Sequence, residues 1–146
     1  MQKRIGIASD HAGVEMKAFL KNWLESEGYE ICDFGTHSTE SMDYPDVAHP
    51  LANAVSNGEI KTAIALCGSG IGISITLNRH CGVRAALCWM PEIAQLSRQH
   101  NNANICALPA RFVNNETAQK IVATFLATAF EGGRHERRVE KIETTN

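Results

Sequence analysis

Two apolar patterns alternate along this chain. In one, a short run is apolar at almost every position, as in Thr62–Cys67 (TAIALC). In the other, apolar residues return every three or four positions, as Val14, Met16, Phe19, Leu20, Trp23 and Leu24 do between Ala12 and Glu27. The first suits a strand covered on both faces, the second an amphipathic helix. The pattern predicts a strand over Lys3–Ala8, a helix over Ala12–Glu27 stopped by Gly28, and a strand over Glu30–Phe34 closed by Gly35. A helix opened by Pro45 runs on to Gly58, followed by a strand over Thr62–Cys67 and a helix over Ile71–Asn78. Next come a strand over Gly82–Leu87, a helix over Pro91–Asn101, a strand over Asn104–Leu108 and a helix over Glu116–Phe130. A charged tail over Arg134–Glu143 reads as helical too. Residues 36–44 (THSTESMDY) form the longest irregular stretch, of the kind that borders a site.

Five strands alternating with helices across short joints predict a parallel sheet wrapped on both faces. The expected architecture is a single-domain α/β fold, a Rossmann-like three-layer αβα sandwich with strand order 2-1-3-4-5. Ligands of open α/β sheets bind beyond the carboxyl ends of the strands, where the order reverses. Here that point lies between the first and third strands. Their ends, Ser9-Asp10-His11 and Cys67-Gly68-Ser69-Gly70, would then be neighbours.

Composition narrows the function classes. The 146 residues suit one domain with a full-sized core. A net charge of −2 argues against general affinity for nucleic acid or for an anionic membrane. No apolar run approaches a membrane span, and the opening MQKRIGIASDH has too short an apolar stretch for a signal peptide. Five cysteines without a CxxC pair suggest neither a disulfide framework nor a zinc ribbon, and point to a reducing cytoplasm.

The sharpest candidate chemistry is LCGSGIGIS, residues 66–74. Cys67 precedes a glycine loop and a helix start, whose free N–H groups and positive dipole end can make a thiolate accessible. A thiolate serves as nucleophile or as proton-abstracting base, and the glycines let a substrate oxygen reach the backbone amides. A small buried cysteine ending a strand is the alternative. Asp10 either reaches substrate or caps the first helix. His100 and Asn101 end a helix, where histidine commonly complements the dipole and asparagine the C-cap. Arg134 and Arg138 stand four apart, a spacing that suits a shared phosphate if the tail is helical, or an ordinary solvated face beside Glu136, Glu140 and Glu143. Several motifs are excluded. A phosphatase loop would need arginine where Ile73 stands, GxGxxG does not follow the first strand, a Walker Gly-Lys-Ser/Thr is missing, and a receiver domain would want aspartate in place of Cys67.

Together these residues resemble the ribose/galactose isomerase family, in its type B ribose-5-phosphate isomerase branch. The resemblance runs from Lys3 to about Ile142. It rests on ASDHAG (8–13), GT (35–36), DYPD (43–46), CGSGIGIS (67–74), AQLSRQHNNANI (94–105) and EGGRHERRVEKI (131–142). It implies interconversion of D-ribose 5-phosphate and D-ribulose 5-phosphate through an enediolate, with neither metal nor organic cofactor. The alternatives are an allose or galactose 6-phosphate isomerase and a non-catalytic phospho-sugar-binding domain. By the resemblance, Cys67 is the base between C1 and C2 and Ser69 shuttles protons between the oxygens. Gly68, Gly70, Ile71, Gly72, Ile73 and Ser74 surround the enediolate. His100 opens the furanose ring with help from Asp10. His11, Arg111, Arg134 and Arg138 bind the phosphate, and Asn101 contacts the sugar. The resemblance further implies a homodimer, or a tetramer built on it, with each site shared across the interface and residues 132–146 contributing to the dimer and the phosphate site. From helix physics alone the phosphate would sit on the glycine loop, since helix N-termini bind phosphate well. The resemblance moves it to the arginines and leaves the loop to the enediolate.

Overall fold

The computed structural model describes residues 3–144; the first two and last two residues, including 145 and 146 of the expected tail, lie outside the described residues. The strands are β1 (Lys3–Ser9), β2 (Tyr29–Asp33), β3 (Ala63–Cys67), β4 (Ala85–Leu87) and β5 (Ile105–Pro109). The helices are α1 (Val14–Ser26), α2 (Pro45–Ser56), α3 (Ile71–Leu77), α4 (Pro91–Asn101), α5 (Asn115–Ala127) and α6 (Arg134–Glu140), with a 3-10 turn at His11–Gly13 before α1. Local chemistry sets their ends. Proline occupies the first turn of α2 and of α4, where its missing N–H costs nothing. Asn114 caps α5 by accepting from the Thr117 amide, and Asn102 ends α4 in the left-handed conformation with φ +48°.

All pairings are parallel, and the sheet order is β2-β1-β3-β5-β4. This corrects the expected 2-1-3-4-5 at the far edge. The reason is burial. The five residues of β5 are all buried, whereas β4 has three residues, all half-buried. An uninterrupted apolar strand gains most from the interior, and a short strand suits the edge. The expected fourth strand began at Gly82, but Gly82 has φ +79° and the chain turns there before pairing starts at Ala85. The fifth helix stops at Ala127 rather than Phe130, and the tail helix at Glu140. The reversal between β1 and β3 is as expected.

Two apolar layers flank the sheet. On one face Leu20 and Leu24 of α1 and Ile121 and Phe125 of α5 pack on Ile5, Ile7, Ile64 and Leu66. On the other, Val47 and Leu51 of α2 and Ile73 and Leu77 of α3 pack on Ala8, Ala63, Ala65 and Cys67. The small residues on this second face let α2 and α3 lie close. Because every strand runs the same way, every helix that follows a strand starts at the carboxyl, or upper, end of the sheet and finishes at the lower end.

Candidate active site

Cys67 is the last residue of β3, at the upper end of the sheet. It is 4% exposed, and its Sγ accepts the Gly70 amide at 3.2 Å. The chain makes that bond by turning through Gly70 at φ +75°, directly ahead of α3. No side chain fits there: a Cβ on Gly70 would run into Leu87 Cδ1 and lie 3.1 Å from the Leu108 carbonyl carbon. Ser69 Oγ accepts the Ile71 amide at 3.2 Å, which leaves its own proton free to donate. The Gly72 and Ile73 amides, in the first turn of α3, have no acceptor within the helix. Ser74 is buried and donates to the Gly70 carbonyl at 2.6 Å, which pins the turn. A thiol held by one amide and bordered by unpaired amides can stabilise negative charge on sulfur and on a nearby oxygen.

The end of β1 lies alongside. Asp10 is 6% exposed; its carboxylate accepts the Ala12 amide at 3.0 Å and its own amide donates to the Leu66 carbonyl. Its carboxylate therefore caps the turn, while its backbone ties the β1 loop to β3 just before Cys67. His11 Nδ1 accepts the Met42 amide at 3.2 Å, tethering the irregular 36–44 stretch. A neutral His11 with that nitrogen occupied carries its proton on Nε2, a donor suited to an anion. Arg111 donates its amide to the Gly68 carbonyl, and its Nη1 lies where a Gly68 Cβ would come within 2.9 Å. The Tyr44 ring lies over Gly72, where a Cβ would be 2.5 Å from Cζ.

His100 and Asn101 are the last two residues of α4, so they stand at the lower end. The Glu131 amide donates to the Gln99 carbonyl at 3.1 Å and α6 packs on α4, which brings Arg134 and Arg138 to that end too. Both arginines are exposed and one turn apart. The His100 ring stacks on His135, with centroids 4.3 Å apart and planes 12° from parallel. Glu131 Oε1 lies 3.6 Å from His135 Nε2 and 4.0 Å from His100 Nε2. Burial lowers the His135 pKa, and the facing His100, Arg134 and Arg138 lower it further against Glu131. These three groups lie close enough to suggest a metal site. Two nearly parallel rings at stacking distance, however, send their in-plane lone pairs along separate lines, so one ion cannot bond well to both. A cleft of about 660 Å³ also opens at the lower end, lined by Asn78, Arg79, Arg84, Asn101, Ile142 and Glu143.

The expected site residues thus divide into two sets. Asp10, His11, Arg111 and the segment from Cys67 to Ser74 share the upper end, and His100, Asn101, Arg134 and Arg138 share the lower end. The length of β3 separates them within one chain, on the order of 15 Å for its five residues. Three side chains escaped the sequence reading: Tyr44, Glu131 and His135. Tyr44 stood inside the DYPD segment, and the other two inside EGGRHERR, but nothing in sequence spacing announced a ring stack.

Comparison with known proteins bears on this arrangement. The profile of the family described as Ribose/Galactose Isomerase matches residues 5–142. The chain is 45% identical over 140 residues to ribose-5-phosphate isomerase B of Escherichia coli, covering 96% of this chain and 94% of that one. Among solved structures, a ribose 5-phosphate isomerase of Thermotoga maritima superposes with a TM-score of 0.94 at 51% identity, covering 97% and 98% of the two chains. Ribose-5-phosphate isomerase B of Mycoplasma genitalium, with bound ribulose-5-phosphate, superposes at 0.93 with 40% identity, covering 97% and 95%.

Proposed function

Since the chain belongs to the ribose/galactose isomerase family, we propose that it is an aldose–ketose isomerase interconverting D-ribose 5-phosphate and D-ribulose 5-phosphate, with Cys67 as the base. The observation that carries the assignment of the base is the 3.2 Å bond from the Gly70 amide to Cys67 Sγ beside unpaired first-turn amides. His100 moves the proton that opens the furanose: the C1–O4 bond breaks, O4 is protonated and the C1 hydroxyl loses its proton. The Cys67 thiolate then takes the proton from C2, and the electron pair moves onto O1 to give the enediolate. Ser69 carries the O2 proton to O1, and the thiol returns its proton to C1, leaving the ketone at C2. Oxygen charge develops against the glycine loop from Gly70 to Ile73, where the Gly72 and Ile73 amides are free to donate. Phosphate is the remote handle, held by His11 and Arg111 from one side and by Arg134 and Arg138 from the other.

One chain cannot supply all of these groups to one substrate, because its two sets stand at opposite ends of the sheet. A two-fold dimer that sets the upper end of one copy on the lower end of the other completes two identical sites. Ile71 and Ile75, 53% and 63% exposed and one turn apart on α3, offer an apolar strip for such a contact. The enzyme works in the cytoplasm, in keeping with its free cysteines.

The test is turnover of ribose 5-phosphate against allose 6-phosphate, with and without the Cys67→Ala change. The reading predicts preference for the pentose and a loss of at least about 100-fold in the variant. Undiminished turnover in a folded Cys67→Ala protein would remove the base, and preference for the hexose would favour a hexose 6-phosphate isomerase.

A further inference from the structure

The stacked pair His100–His135 is more than the proposed ring-opening step uses. His135 is 7% exposed and sits in the first turn of α6, its amide bonded to the Gly132 carbonyl. Its ring covers one face of the His100 imidazole. Glu131, immediately before the two glycines that lead into α6, reaches toward Nε2 of both rings and is anchored by its own amide to α4, one residue before His100. A half-exposed histidine at the end of a helix would otherwise be free to swing about χ1 and χ2. A flat buried partner at stacking distance restricts its plane, and a carboxylate oxygen 4.0 Å from its Nε2 favours one rotation by charge.

We propose that His135 and Glu131 are positioning residues that hold the His100 ring in the orientation needed to open the cyclic sugar. The proposal rests on the isomerase reading and on His100 as the ring-opening group. Its consequence is selective. Ribose 5-phosphate exists mainly as a furanose and must be opened. Ribulose 5-phosphate is open-chain, because the hydroxyl that could close a five-membered ring onto its C2 carries the phosphate. A loosened His100 therefore harms the reaction from the ribose side, and leaves intact the proton abstraction that begins it from the ribulose side. Misplacing a proton-transfer group by a fraction of an ångström to one ångström costs about 10- to 100-fold.

The test compares two activities in one protein: kcat for ribose 5-phosphate, and exchange of solvent deuterium into C1 of ribulose 5-phosphate. His135→Ala is expected to lower kcat at least about 10-fold, with KM and the exchange rate within about 3-fold of wild type. His135→Phe, which keeps a flat ring in the stack, is expected to recover most of the loss. Equal losses in turnover and exchange, or no loss in turnover, would overturn the positioning role. If His135→Ala does not fold, Glu131→Gln replaces it, with the same split expected at smaller size and the same overturning results. No turnover of ribose 5-phosphate by the wild type would overturn the isomerase reading and this proposal with it, whereas normal wild-type turnover with unsplit variants would overturn the proposal alone.

Discussion

Gly70 holds the loop together at the cost of tolerating no other residue. Its φ of +75° and the Leu87 and Leu108 atoms packed where a Cβ would lie both select glycine. Gly70→Ala is expected to cost about 1–3 kcal/mol of stability by denaturant unfolding and to lower turnover, because the same residue supplies the amide on Cys67. The place of Cys67 was legible because an apolar run, a thiol and glycines came in unbroken order. Whether Asp10 caps or reaches substrate was not legible, since capping depends on a turn geometry that many sequences share; its carboxylate accepts the Ala12 amide. The two lowered histidines give a pH prediction. Burial, then the facing His49, lowers His80, and burial lowers His135. A histidine kept neutral in the fold stabilises above its unfolded value near 6.5 and loses that contribution as pH falls below it. Tm is therefore expected to drop between about pH 7 and pH 5, and less in a His80→Gln variant. An unchanged slope would remove His80 from the account.

At the scale of elements, α1 and β2 are clamped by a pair the periodicity did not announce. Lys17 is 3% exposed and its Nζ lies 2.6 and 2.7 Å from the two Asp33 oxygens, with Lys21 at 3.5 Å. Burial pushes the Asp33 carboxyl up, but the Lys17 bond, the Gly35 amide and the charges of Lys17 and His37 outweigh it and hold the pKa below the usual value. Asp33→Asn leaves a buried ammonium without its partner and is expected to cost about 3–5 kcal/mol in urea unfolding. The stabilisation is present above the ordinary carboxylate pKa and lost as pH falls through the folded one, so the variant should also lack part of the wild-type acid sensitivity below about pH 4. A loss under about 1 kcal/mol would show that solvent already screens the pair. Helix and strand identities were legible from period and length, and the α4 span needed no change. The edge order was not, because sequence shows which runs are apolar but not which of two neighbours is buried on both sides. The three half-buried residues of β4 decide it only once the sheet is assembled.

In the whole molecule, the fold places the two sets of expected site residues at opposite ends of one sheet. That follows from topology: β3 delivers Cys67 to the upper end, and α4, running back, delivers His100 to the lower end. The sequence showed both motifs but not their separation, since strand direction enters only through the three-dimensional alternation. Co-expression of Cys67→Ala and His100→Ala chains tests this directly. In the mixed dimer one site is doubly damaged and the other is intact, and random pairing makes half of the dimers mixed. Each variant alone is expected to be nearly inactive, and the mixture to recover about one quarter of wild-type turnover. A mixture no more active than its components would mean that Cys67 and His100 do not complete one another's site across two chains.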